Sequence, residues 1–418
     1  MKTSFPKDKI RVVLLEGVHD AGAELLAAEG FDVVCEKGSP SDDRLRAHLS
    51  EAHLVGIRSK TQLRAPMLTE AGRLLSVGCF CIGTNQVDLD PAALAGVPVF
   101  NAPYSNTRSV AELTIAEIVM LSRRTFERSS AMHEGRWIKS ATGSHEIRSK
   151  TLGIVGYGHI GSQVSVLAEA MGMRVVYYDS VPKLALGNAI PADTLDELLG
   201  QSDFVTLHVP ATATTEGMIG AHQIAKMKPG AHLINNARGS IVDIDALAAG
   251  LKEGRLGGAA VDVFPDEPAG KEARFESPLL GLANVILTPH IGGSTQEAQK
   301  NIAIEVATKL VSFVNTGATT GAVNVPNVDL PDQASQRVRT EGGHDRPHRI
   351  LHFHRNVPGV MGKLNNAISE LGVNVSAQHL QTMGEIGYVV LDIEPGNGAE
   401  LRSRLDAIEG TIRTRMLW

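Results

Sequence analysis

The chain has 418 residues, 43% of them apolar and 21% charged, with a formal net charge of -6. That length exceeds one compact core and predicts two or three domains, while the mild acidity gives no electrostatic case for a nucleic-acid or membrane partner. No apolar run reaches membrane-span length, the start shows no signal-peptide core, and Cys35, Cys79 and Cys81 form neither a disulfide framework nor a zinc spacing; a cytoplasmic protein without a metal is expected.

Short apolar runs at Arg11–Leu15, Asp32–Cys35, Leu54–Ile57, Leu74–Ile82 and Val97–Phe100 alternate with helix-like stretches, which predicts a parallel α/β sheet with crossover helices. Ser109 to Met132 reads as one long helix, with Ser109 as N-cap and Glu112 at the capping-box position. From Thr151 the alternation restarts with TLGIVG, RVVYYD, DFVTLHVP, AHLINNA, GAAVDVF and NVILTPH, a doubly wound sheet of about six strands. A second long helix is expected over Ser294–Val314, and TTGAVNVPNV then returns to the first region. Domain boundaries follow: 1–107 with 298–328 as one discontinuous domain, 108–297 inserted within it, and 329–348 as a polar, glycine-containing exposed linker. Residues 349–418 carry the βαββαβ order of a ferredoxin-like unit.

The sharpest local signal is Gly156-Tyr157-Gly158-His159-Ile160-Gly161 between an apolar strand and a helix. Gly156 permits the tight turn, Gly158 lets backbone approach a pyrophosphate, and Gly161 allows helix to pack on strand. Asp179 ends the next strand, about twenty residues on, where a carboxylate accepts from ribose hydroxyls and repels a 2'-phosphate. NAD is therefore the expected cofactor.

Arg238, Glu267 and His290 each follow a separate strand of this sheet, the place where open α/β sheets bind ligands. A guanidinium fork suits a carboxylate, and a histidine oriented by a carboxylate can exchange a proton with an alcohol or ketone. Taken singly, Arg238 is more often a surface residue and His290, one of 15 histidines, more often structural; the combination reverses that weighting.

The ordered series GYGHIG, Asp179, LHVP, NNARG, AAVDVFPDEP and LTPHIGGSTQEAQ resembles the D-isomer-specific 2-hydroxyacid dehydrogenases. The segments GIRSKT, CFCIGTNQVDLD and VFNAPYSNTRSVAEL narrow the resemblance to the branch that oxidises 3-phospho-D-glycerate to 3-phosphohydroxypyruvate at the start of L-serine synthesis. It implies a Rossmann NAD-binding domain inserted in a flavodoxin-like substrate domain. It also implies that Arg238 anchors the substrate carboxylate, His290 transfers the proton and Glu267 pairs with His290. Cofactor contacts are implied for Gly156, Gly158, His159, Ile160, Gly161, Asp179, Asn236, Ala237, Arg238, Asp262, His290, Ile291, Gly292 and Gly293. Arg58, Ser59 and Asn106 are implied at the substrate, and Lys139 more weakly at a neighbouring subunit's site. The C-terminal unit resembles an ACT domain, with His354, Asn356 and Asn374 at the positions that hold an amino-acid effector. The implied protein is a homotetramer or dimer inhibited by L-serine, with a side activity reducing 2-oxoglutarate. Alternatives are a hydroxypyruvate or lactate dehydrogenase, or an NAD-sensing protein without catalysis.

Overall fold

The computed structural model describes residues 5–268, 274–330, 338–340, 343–345, 348–394 and 398–417. The chain divides into two compact units, Met1–Ser105 with Gln299–Trp418, and Asn106–Ala298.

In the first unit, strands Arg11–Leu14, Asp32–Cys35, Leu54–Ile57, Ser76–Cys79 and Val99–Phe100 form a parallel sheet, in the spatial order second, first, third, fourth, fifth. Leu54–Ile57 and Ser76–Cys79 are buried along their whole length, as strands covered on both faces must be. The helix Gln296–Thr316 brings Ile302, Val306, Leu310 and Phe313 into the core beneath this sheet. TTGAVNVPNV does return here: the side chain of Asn324 accepts from the Val99 amide at 2.8 Å and donates to the Val97 carbonyl at 3.0 Å.

The ferredoxin-like part has strands His348–Arg355, Val375–Met383, Ile386–Ile393 and Thr411–Leu417 in one antiparallel sheet, with helices Val360–Glu370 and Gly398–Asp406. One face of the sheet buries Ile350, Val389 and Leu391 against those helices. The other face, with Leu351, Phe353, Tyr388, Val390 and Leu417, joins the same core as Phe313, Val314 and Leu330. Two polar pairings stand at this junction, as burial favours. Arg349, fully buried, makes two 2.7 Å bonds to Asp392, and the Tyr388 hydroxyl donates to the Gly317 carbonyl at 2.7 Å. Of the stretch expected as an exposed linker, residues 331–337, 341–342 and 346–347 lie outside the described residues; Val338–Thr340 and Gly343–Asp345 pair as two short antiparallel strands.

The second unit holds a parallel sheet of seven strands. The six expected strands are Thr151–Val155, Arg174–Tyr178, Phe204–Leu207, Ala231–Asn235, Leu256–Val261 and Val285–Leu287; a two-residue edge strand, Ile190–Pro191, adds a seventh that sequence periodicity did not reveal. From one edge the order runs Val285–Leu287, Leu256–Val261, Ala231–Asn235, Phe204–Leu207, Thr151–Val155, Arg174–Tyr178, Ile190–Pro191. The order reverses beside Thr151–Val155, which puts the glycine-rich turn at the switch point where such sheets bind nucleotides.

One expected helix needs correction. Ser109 to Met132 is two helices, Thr107–Arg123 and Thr125–His133, and the N-cap is Asn106 rather than Ser109. The break is Arg124, in the left-handed region at φ 52°, where its side chain pairs with Glu127. Glu112 pairs with Arg108 rather than completing a capping box.

Candidate active site

The glycine-rich turn is built as its spacing requires. Gly156 has φ 92°, and a Cβ there would lie 2.6 Å from the His208 carbonyl oxygen; a Cβ on Gly161 would lie 2.1 Å from the Gly156 carbonyl oxygen. Around Gly158 no atom would lie within 4 Å of an added Cβ, so the approach to this backbone is open. The helix His159–Ala170 starts directly after Gly158, with its amide donors at that opening. Asp179 accepts from the Tyr157 amide at 2.8 Å and the Val181 amide at 3.0 Å, which fixes the carboxylate across the turn. Each carboxylate oxygen retains capacity to accept from a hydroxyl. These features fit the adenosine and pyrophosphate of NAD. His159 lies exposed and Ile160 half-buried in the same turn.

Three strand ends lead to Arg238, Glu267 and His290. After Ala231–Asn235, the Asn235 side chain accepts from the Ala237 amide at 3.2 Å and donates to the Arg238 carbonyl at 3.0 Å. This staple sets the direction of the Arg238 turn, and Arg238 itself bonds the Ala237 carbonyl at 2.6 Å. A Cβ on Gly239 would overlap the Phe264 backbone at 2.0 Å, so the Arg238 turn rests directly on the segment that leads to Glu267.

After Leu256–Val261, the buried Asp262 carboxylate accepts from the Thr288 hydroxyl at 2.6 Å, the Ile291 amide at 2.8 Å and the Gly292 amide at 2.7 Å. The His290 amide also donates to the Asp262 carbonyl at 2.8 Å. These bonds hold His290 at φ 55°, an unusual conformation for a residue with a Cβ and one kept where surroundings over-determine it. Glu267 Oε2 lies 2.9 Å from His290 Nδ1, with both side chains partly exposed. The bond from Glu267, reinforced by its charge, raises the His290 pKa above its ordinary value against the opposing effect of burial. Burial pushes Glu267 upward, but the His290 bond and charge, the Phe264 amide and Arg238 together hold it below its usual value. The charge of Arg238 is felt by both partners, so Arg238, Glu267 and His290 form one electrostatic group. With Nδ1 bonded to a carboxylate, Nε2 is the nitrogen left to exchange a proton.

Of the other implied residues, Asn236 and Ala237 are buried in the Arg238 turn, while Ile291, Gly292 and Gly293 lie in the His290 loop. Asn106 stands at the N-cap position of the helix Thr107–Arg123, with no side-chain bond to it, and lies against Gly293. In the other unit, Arg58 and Ser59 sit on the loop after Leu54–Ile57. Glu16 shapes that loop by accepting from the amides of Arg58 at 3.1 Å, Lys60 at 2.9 Å and Thr61 at 2.8 Å. Glu16 escaped the sequence reading, and Asn235 and Thr288 were read only as members of NNARG and LTPHIGGSTQEAQ: each acts on backbone or on a second side chain, a role that spacing does not report.

His354, Asn356 and Asn374 are not brought together within one chain. His354 is buried and bonded to the Arg355 carbonyl at 2.8 Å, and Asn356 donates to the Gly384 carbonyl at 3.1 Å. Asn374 instead faces Glu394, at the far end of the central strand Ile386–Ile393. Seven strand steps separate the two ends, roughly 23 Å. Among the described residues, no group of three or more His, Cys, Asp or Glu side chains could hold a metal, and no helix is long and apolar enough to cross a membrane.

The model of the D-isomer specific 2-hydroxyacid dehydrogenase NAD-binding domain matches residues 115–292, and that of the AHAS small subunit-like ACT domain matches 350–413. A D-3-phosphoglycerate dehydrogenase of Haemophilus influenzae is 50% identical, over 100% of this chain and 99% of its own. One from Dictyostelium discoideum is 48% identical, over 100% and 99%. A solved D-lactate dehydrogenase of Aquifex aeolicus, complexed with NAD and lactic acid, aligns with a TM-score of 0.65 at 30% identity, over 72% of this chain and 95% of its own.

Proposed function

The chain belongs to the D-3-phosphoglycerate dehydrogenase family, within the D-isomer-specific 2-hydroxyacid dehydrogenases, and we propose that it oxidises 3-phospho-D-glycerate to 3-phosphohydroxypyruvate, opening L-serine synthesis. The observation that carries the chemistry is the 2.9 Å contact of His290 Nδ1 with Glu267, inside the field of Arg238. The Gly156–Gly161 turn and Asp179 would hold NAD, which when bound would supply the acceptor for the hydride that leaves C2 of the hydroxy acid.

Arg238 holds the substrate carboxylate in a two-bond fork, so that C2 has one orientation. Neutral His290 accepts the hydroxyl proton at Nε2 as the carbonyl forms, and Glu267 stabilises the resulting imidazolium. In the reverse direction His290 returns that proton. Asp179 receives the adenosine ribose. Arg58, Ser59 and Asn106 are assigned to the substrate on the family pattern, with the cation and hydroxyl of Arg58 and Ser59 suited to a phosphate. Among the described residues Cys35, Cys79 and Cys81 join no disulfide, which supports a reducing cytoplasmic setting.

We also assign an amino-acid effector, L-serine, to His354, Asn356 and Asn374. Because one chain separates these groups, the effector needs two ACT sheets paired head to tail, each giving one end. A homo-oligomer follows, and the exposed Met132, Trp137 and Ile138, which line one concave surface, supply an apolar patch for a further contact between copies.

The test is NADH formation from 3-phosphoglycerate beside lactate, 2-hydroxyglutarate and glycerate, with and without L-serine, and NADH consumption with 2-oxoglutarate. Preference for the phosphorylated acid is expected. An unphosphorylated acid turned over more efficiently would refute the substrate, and velocities indifferent to saturating serine would refute the effector.

A further inference from the structure

Behind the Arg238 turn lies a carboxyl group that the mechanism above does not use. The helix Thr107–Arg123 places Val110, Thr114 and Glu117 on one stripe, and Glu117 is fully buried. Its Oε2 accepts from Asn236 Nδ2 at 2.7 Å, and the same nitrogen donates to Thr114 Oγ1 at 3.1 Å. Thr114 spends its own hydrogen on the Val110 carbonyl at 2.9 Å. Thr114 Oγ1 must therefore accept from the amide, which fixes Asn236 with its nitrogen toward the helix and makes Glu117 Oε2 an acceptor. Glu117 Oε1 and Asn236 Oδ1 are buried with no protein partner.

We propose that Glu117 is a positioning residue of the dehydrogenase reaction, fixing Asn236, and through it the Arg238 turn, by a buried carboxyl–amide pair. This rests on the reading of Arg238 as the carboxylate anchor. Asn236 lies between Asn235, which staples the turn from within, and Arg238, whose direction the turn sets. Loss of the Glu117 contact frees the middle of that turn without touching Glu267 or His290.

The pair works with Glu117 as a neutral acid. Burial lifts its pKa, the Asn236 bond opposes the rise, and the charge of Asp262 adds to it, leaving a value of about 8. The groups facing it are Asn236 and Thr114, both uncharged, and Asp262, an anion held by Thr288 and the Ile291 and Gly292 amides. Arg238 and His290 lie beyond, in the field of Glu267. When Glu117 ionises, two anions share one dry region, and their repulsion bears on Asn236, the residue that ties Glu117 to the Arg238 turn. Activity therefore gains an alkaline limb set by Glu117, separate from the acid limb set by His290.

Glu117→Gln preserves the acceptor and cannot ionise. It should keep near-normal turnover at neutral pH and lose the alkaline limb. Glu117→Ala should raise the KM of the hydroxy acid about tenfold, the loss of one hydrogen bond, with the His290 limb unmoved. Two readouts need no turnover: a protonated-carboxyl stretch in the infrared difference between wild type and Glu117→Gln, disappearing as pH passes about 8, and a melting-temperature gain for Glu117→Gln that widens from acid to mildly alkaline pH. Parallel pH profiles and parallel melting curves would overturn the proposal. A wild type with the infrared band but no turnover of any 2-hydroxy acid would instead refute the catalytic reading, and with it the positioning role, while leaving the neutral carboxyl established.

Discussion

Glu267 and Glu117 serve the same cluster of strand ends from opposite sides, and the structure drives them to opposite charge states. Glu267 is partly exposed and bonded to His290, whose positive charge on proton uptake favours the anion. Glu117 is sealed behind the turn with an amide as partner and Asp262 as neighbour. A carboxylate beside an imidazole can share its charge; a carboxyl beside an amide and another anion is better off keeping its proton. Sequence marks Glu267 by its place after a strand and leaves Glu117 as one more residue of a helix. The partner decides the charge, 23 positions away for Glu267 and 119 for Glu117.

The comparison is broken most severely at the proton acceptor. His290→Ala should lower kcat for NADH formation by about a thousandfold, the usual scale of positioned acid–base catalysis. Arg238→Ala should cost about a hundredfold in kcat/KM for the hydroxy acid, as expected for lost charged hydrogen bonds; steady-state kinetics with NAD saturating would show it.

Glu267→Gln sharpens the comparison. Oxidation needs neutral His290, so kcat/KM rises as pH climbs through the His290 pKa, which Glu267 holds above its ordinary value. Removing the carboxylate should move that limb to lower pH and reduce the maximal rate by about tenfold, as the imidazolium loses its partner. For Glu117 the sign is opposite in stability: the folded state keeps a proton that the unfolded state has lost above its ordinary pKa of 4.5. The stabilisation seen at acid pH falls as pH rises from there toward about 8. Thermal melts of wild type and Glu117→Gln across that window should diverge. The smallest effect is expected at the nucleotide turn, where Asp179→Ala should narrow the preference for NAD over NADP by about tenfold, read as a ratio of kcat/KM values.

Much of this was legible before any coordinates, and for local reasons. GYGHIG needs glycines because neighbouring backbone occupies the space of their side chains, and spacing reports that directly. Arg238, Glu267 and His290 are marked out because each follows its own strand, and the roles proposed for them rest on the family resemblance. The break at Arg124 was not, since an arginine in the left-handed region carries no glycine or proline signal. The helix begins after Asn106 rather than after Ser109 for a similar reason: both residue types suit an N-cap, and the Ser109 hydroxyl pairs instead with Thr295. Glu16 and Glu117 stayed invisible because their partners lie 42 and 119 positions away. A polar residue on a helix otherwise reads as solvated surface.

The shared core of the first unit has a consequence for synthesis. Phe313, Val314 and Leu330 are covered by Leu351, Phe353, Tyr388 and Leu417, and Arg413 and Arg415 of the last strand bond the carbonyls of Leu74 and Val314. The underside of the core built on the helix Gln296–Thr316 therefore waits for Thr411–Leu417 before it is closed. A nascent chain, or one cut before the last strand, exposes that underside to chaperones and to other chains.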